Sequence, residues 1–216
     1  MHSYLIIGCG HFGSRAARQL LGKRPDSKIT LVDRDEEVFQ KVSDLPVEKI
    51  VADAIPCCDR VLLNGSAIEY IIPAVPFHLA FEYVLSHLRP LGAKRTKVPA
   101  IEGLPHPMIG ATGDLYTSFA DFLCPEDCPE PSEACPATGE KRHRPLFEVL
   151  EDLKGPFESR VIRSRQLGPG VGGFPPRALV NLLETIEKRM GLNRPFLIST
   201  ACRCHGVTSA LSFETG

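Results

Sequence analysis

Apolar and polar positions along the first ninety residues follow two alternating periods. Short β-rich runs, Ser3 to Ile7, Lys28 to Val32, Lys49 to Ala52 and Glu69 to Ile72, read as strands. Between them, Ser14 to Leu21 and Phe77 to Leu88 carry apolar residues at helical spacing, and a polar helix is expected from about Glu36. Strand–helix–strand alternation of this kind predicts a parallel sheet joined by right-handed crossovers, with helices on both faces.

The pattern weakens afterwards. Arg89 to Pro107 is rich in proline, glycine and basic residues and reads as a connection with little regular structure. Beyond it a second α/β region is expected. Its helices are predicted at Asp114–Leu123, Leu146–Leu153 and Pro176–Met190, and its strands at Ser159–Gln166, Phe196–Thr200 and Val207–Phe213. The fold class is therefore α/β, a Rossmann-like parallel sheet plus a cysteine-containing C-terminal α/β region. The expected division is a dinucleotide-binding half at 1–90 and a region at 91–216 that carries a cysteine-rich loop, 124–140.

The first strand runs into Gly8-Cys9-Gly10-His11-Phe12-Gly13, a G-x-G-x-x-G pattern placed between a strand and a helix. In that position Gly8 permits a tight turn, Gly10 lets backbone approach a pyrophosphate, and Gly13 lets helix and strand pack closely. The unpaired N–H groups at the helix start favour phosphate. The second strand ends at Asp33, twenty residues beyond Gly13, where a carboxylate can bond ribose hydroxyls and repel a 2′-phosphate. That favours NAD over NADP, although Arg34 offers a partner for a phosphate.

The residues Tyr4 to Arg15, Leu31-Val32-Asp33 and Val51-Ala52-Asp53-Ala54 resemble the NAD-binding domain of potassium-transport regulators, the RCK or TrkA-N domain, over about residues 3–55. The resemblance implies NAD(H) on Gly8, Gly10, His11, Phe12 and Gly13, with Asp33, Arg34, Asp53 and Ala54 around the adenosine. Ala52-Asp53-Ala54 stands where the family has Gly-Asp-Ala, and nothing after residue 90 resembles its C-terminal domain. His78, beyond the Pro73-Ala74-Val75-Pro76 turn, is a candidate proton donor or else a capping or solvent-facing histidine.

Composition adds a second candidate site. The chain has 216 residues, 43% hydrophobic and 24% charged, with net charge −1, which is ordinary for a soluble domain and gives no reason to expect nucleic acid. No apolar run reaches bilayer length and the N-terminus reads as a strand, so a cytoplasmic protein without membrane insertion is expected. Eight cysteines and nineteen prolines are unusual. Cys124, Cys128 and Cys135 are each followed by proline, at C-x3-C-x6-C spacing, with Cys202-Arg203-Cys204-His205 downstream. Proline keeps such a loop out of helix and strand, so the thiols can converge. Four of these five cysteines suit an iron–sulfur cluster or zinc, the fourth ligand being either Cys202 or Cys204; unligated thiols or a labile disulfide is the other reading.

A second glycine-rich turn, Gly168 to Gly173, follows a strand bearing Arg163 and Arg165 and precedes a helix. It is expected to cradle an anion or to act as a hinge. Three functions fit: an NAD(H)-dependent oxidoreductase of unknown substrate, a non-catalytic NAD(H) and redox sensor docking a protein partner or a second copy, and a siroheme-pathway dehydrogenase. No Tyr-x-x-x-Lys set is present, and the last family's customary N-terminal signature is missing.

Overall fold

The computed structural model describes residues 2–213 apart from 64, 66 and 132, so one position of the cysteine loop lies outside the described residues. Four parallel strands, β1 (Ser3–Ile7), β2 (Lys28–Asp33), β3 (Glu48–Val51) and β4 (Tyr70–Pro73), form a sheet in the order β3-β2-β1-β4. Every residue of β1 is buried because both faces of this central strand are covered. Leu5 and Ile7 enter one core cluster and Tyr4 and Ile6 another, as the period of two requires. Helix α1 (His11–Lys23) covers one face with Ala16, Ala17 and Leu20. Helices α2 (Ala54–Leu63) and α3 (Leu79–Leu88) cover the other.

The predicted polar helix from Glu36 is a 3₁₀ helix, Glu36–Val42, with the Asp35 side chain accepting the Glu37 N–H at 3.0 Å. Helix α2 is absent from the sequence reading. Pro56 sits in its first turn, where a missing N–H costs nothing. Cys57 and Cys58 are buried on its inner face.

The second sheet is mixed. Its strands are β5 (Ala93–Thr96), β6 (Met108–Ile109), β7 (Leu115–Ser118), β8 (Glu158–Arg163), β11 (Phe196–Ala201) and β12 (His205–Phe213). The order is β6-β7-β12-β11-β8, with β5 on the same edge of β12 as β7. Only β8 and β11 run parallel, linked through helix α5 (Arg177–Glu187). Helix α4 (Leu146–Glu151) packs on the outer face.

Two expectations fail here for one reason. Asp114–Leu123 is not a helix, and the start of Arg89–Pro107 is more regular than expected: it holds a 3₁₀ turn at Arg89–Leu91 and then β5, with no helix or strand in 97–107. Both β5 and β7 are four-residue strands that exist only by pairing with β12, about a hundred residues away. In β7, Leu115 and Thr117 are buried and Tyr116 is exposed, a period of two too short to be heard in the sequence.

The expected strand Ser159–Gln166 breaks at Ser164. Its continuation is an antiparallel hairpin, β9 (Arg165–Gly168) and β10 (Val171–Gly173), so Gly168 to Gly173 turns between two strands and is not a loop leading straight from a strand into a helix. Phe174 then pairs with Ile71 through N–H to O bonds of 2.8 and 3.0 Å, docking the hairpin on the free edge of β4. Gly173 permits that approach, since an added Cβ would lie 2.8 Å from the Ile71 carbonyl oxygen.

One core cluster joins the two sheets. It contains Leu5 and Ile7 of the first, Ile162, Phe196, Ile198 and Leu211 of the second, and α2, α3 and α5 between. Residues at or just beyond the C-terminal ends of β1, β8 and β11, namely Phe12, Ser164 and Cys202, line one cavity.

Candidate functional site

Gly8 has φ +100°, and a Cβ there would sit 2.4 Å from the Ala74 carbonyl oxygen. A Cβ on Gly13 would lie 1.9 Å from the Gly8 oxygen, so the helix start is packed directly on the loop. Gly10 differs: a Cβ there meets nothing within 4 Å, and backbone is presented to open space. Gly10 caps α1 without a side-chain bond, and no acid lies in the first turn. The helix therefore has no acidic residue of its own in its first turn to offset its positive end. Asp33 stands beside it, half-buried, its carboxylate accepting the Cys9 N–H at 2.7 Å and the Asp35 N–H at 3.1 Å. Arg34 and Asp53 are exposed, Ala54 half-buried, and Asp53 precedes α2 directly.

The cysteine loop lies across this helix start. Glu126 bonds His11 at 2.9 Å and approaches Arg15 at 3.7 Å. Behind it the loop is held by Gln166 of β9, whose amide donates to the Cys128 carbonyl at 2.8 Å and accepts the Glu130 N–H at 2.6 Å. Gly170, φ +68°, touches the Glu126 carbonyl so closely that a Cβ would fall 1.7 Å from it.

Between loop, helix start and second sheet is a cavity of ≈550 Å³. Phe12 and Arg15 form its wall on the glycine-loop side, and Cys124, Cys128, Cys135, Cys202 and Cys204 all line it. The five cysteines that the sequence offered as ligands thus share one cavity wall. Cys202 Sγ accepts N–H groups from Cys204 (3.4 Å) and His205 (3.3 Å). The Thr138 hydroxyl, then backbone N–H groups of Thr138 and Ala137 and the Arg142 side chain, pull the Cys135 thiol down to about 7. Burial pushes Cys204 up to about 11 and raises Cys124, Cys128 and Cys202. The His205 ring stands between Cys124 (3.5 Å) and Cys202 (3.9 Å). Among the described residues no three His, Cys, Asp or Glu side chains are grouped to hold a metal ion as they stand.

His78 is not solvent-facing. It is 3% exposed, and burial pushes its imidazole down to about 4. Its Nδ1 meets Ser209 Oγ at 2.8 Å and its Nε2 meets Thr200 Oγ1 at 2.9 Å. Ser209 donates to Asp114, which also accepts from Arg95 (2.7 Å) and Thr112 (2.6 Å). Burial opposes the charge on Asp114, but bonds from Ser209, Thr112 and Arg95 outweigh it and hold the carboxyl low. Arg95 also pairs with Glu82 and lies 4.2 Å over the Phe81 ring. Sequence reasoning missed Arg95, Asp114, Thr200 and Ser209. The available signal was hydroxyl residues inside apolar runs, Ser199-Thr200 and Thr208-Ser209.

A parallel sheet with a glycine loop at a helix start defines a Rossmann-type protein, here extended by a second sheet and by a cysteine loop that reaches the helix start. Residues 4–58 match the TrkA-N domain, in agreement with the resemblance seen in the sequence. Residues 80–214, more than half of the chain, match the family model AF_1314_C, described as "Uncharacterized protein, C-terminal domain", and the chain belongs to that family. A protein of Archaeoglobus fulgidus, described as "Uncharacterized protein", is 29% identical over 222 residues, covering 96% of this chain and 98% of its own. Among the described residues no helix is long and apolar enough to cross a membrane.

Proposed function

We propose that the chain is an NAD(H)-binding, redox-sensing regulatory protein. In this reading Gly8, Gly10, His11, Phe12 and Gly13 surround the pyrophosphate, Asp33 takes the adenosine ribose, and Arg34, Asp53 and Ala54 flank the adenine. The match to TrkA-N and the open backbone at Gly10 support the cofactor. The half at 1–90 would hold the dinucleotide, and 91–216 would report its presence. A cytoplasmic setting suits this pairing of dinucleotide and reduced thiols, and a protein partner or second copy would receive the signal.

The observation that carries the reading is the contact of the cysteine loop with the glycine-loop helix through Glu126, His11 and Arg15. An anion arriving at that helix start competes with the Glu126 carboxylate, so occupancy and loop position are linked. The thiols supply a second input: two of them, oxidised by hydrogen peroxide, form one disulfide and two waters and alter the same loop.

A second reading is an oxidoreductase with a cysteine-held zinc or iron–sulfur centre. The convergence of five cysteines on one cavity favours it, together with the paired N–H donors on Cys202 that suit a bound thiolate.

One preparation tests both. Protein purified without oxygen is assayed for zinc, iron and sulfide, then titrated with NADH and NADPH while thiol labelling is timed. The sensor reading expects NADH to bind more tightly than NADPH and to change the labelling rate of Cys124 or Cys128 severalfold. Asp33→Ala should weaken NADH by about tenfold, one charge-assisted ribose bond. If neither dinucleotide binds, the reading is wrong; stoichiometric metal with NADH turnover would favour the oxidoreductase.

A further inference from the structure

The chain Asp114–Ser209–His78–Thr200 ends at the cavity, and the direction of every proton in it follows from its buried end. Asp114 is fully buried, ionised and held by Arg95, so it can only accept. The single Ser209 proton is therefore spent on Asp114, and toward His78 Ser209 only accepts. His78 Nδ1 must then carry the imidazole hydrogen. A buried neutral imidazole has one hydrogen, so Nε2 is bare and takes the hydrogen of the Thr200 hydroxyl.

Thr200 is half-buried on the cavity wall, and its lone pairs are what it has left to offer a ligand. The cavity continues from Phe12 and Arg15, beside the glycine loop, to Thr200. We propose that Thr200 Oγ1 is an obligate hydrogen-bond acceptor in this cavity and receives the N–H of a ligand carboxamide, that of the nicotinamide ring of a dinucleotide bound on the glycine loop. The ligand assignment rests on the NAD(H) reading; the proton order rests only on the buried chain. His78, Ser209 and Asp114 are positioning residues. Were the order reversed, Thr200 would donate, and a ligand carbonyl would be selected.

The test has two arms on the intact protein. In the first, ¹⁵N NMR of the histidine rings should show His78 as the Nδ1–H tautomer between pH 5.5 and 8. Thr200→Val should shift its Nε2 resonance toward the unbonded value. In the second, calorimetry compares NADH with its reduced 3-acetylpyridine analogue, in which a methyl ketone replaces the carboxamide. Wild type should prefer NADH about fivefold to tenfold, the worth of one hydrogen bond. Thr200→Val, nearly equal in volume, should erase the preference, and Thr200→Ser should keep it. An Nε2–H tautomer overturns the proton order. Equal binding of the two dinucleotides by wild type, or a preference surviving in Thr200→Val, overturns the ligand assignment alone. Binding of neither removes the NAD(H) reading and the assignment together.

Discussion

His78 shows how a single buried side chain acquires a cost. In the unfolded chain an imidazole takes a proton near pH 6.5, but inside the fold burial defers protonation to about pH 4. Between those values the unfolded state binds the extra proton, so this group lowers stability as pH falls and has no effect above the window. The loss amounts to about 3 kcal/mol at pH 4. Denaturant unfolding from pH 7 to 4 should therefore show a steep acid limb that His78→Asn flattens. An unchanged slope would show that the ring is reached by solvent. Asp114, Arg95 and Glu82 face the same interior, but Asp114 titrates below its usual range and acts mainly below the window. His205, also lowered by burial, contributes equally to both proteins being compared.

Individual elements fall into two kinds. Strand β1, helix α1 and helix α5 were legible because each repeats its period over enough residues, as in the buried set Leu179, Leu182 and Ile186 of α5. Strands β5, β6 and β7 were not: β5 (Ala-Lys-Arg-Thr) and β7 (Leu-Tyr-Thr-Ser) lack the apolar run that marked the equally short β4, β6 has only two residues, and β5 and β7 form by pairing with distant β12. The β9–β10 hairpin misled for a different reason. Glycines that suggested an anion cradle or a hinge stand at close-approach positions, Gly173 against Ile71 and Gly170 against Glu126. Gly170→Ala forces a Cβ onto the Glu126 carbonyl at a φ of +68°, so the cysteine loop must lift from the glycine-loop helix. Limited proteolysis should then cut within 124–140 at least severalfold faster while the far-ultraviolet spectrum stays unchanged. Wild-type resistance in that variant would show that the hairpin does not hold the loop.

At the scale of the whole molecule, the cluster from Leu5 through α3 and α5 to Leu211 belongs to both sheets. A shared core couples the unfolding of its parts, because exposing one half strips the apolar partners of the other. Chemical denaturation followed by helix signal and by the reactivity of Cys57 and Cys58 should give coincident transitions. Two separated transitions would mean that the sheets unfold as independent units.

The glycine loop, its acidic neighbour Asp33 and the spacing of Cys124, Cys128 and Cys135 within one loop were legible in the chain alone, because neighbouring residues or a local period carry that information. Glycine at a tight turn and an acid at the next strand end are requirements of the backbone within some thirty residues. Folding was needed to show that the cysteine loop lies on the glycine-loop helix and that His78 is linked through Ser209 to Asp114 and, on its other side, to Thr200. Those contacts join residues more than a hundred positions apart, Glu126 with His11 and Thr200 with His78. No short-range pattern encodes such pairs. They are set by which apolar faces bury together, and the polar groups then take the partners that burial leaves within reach.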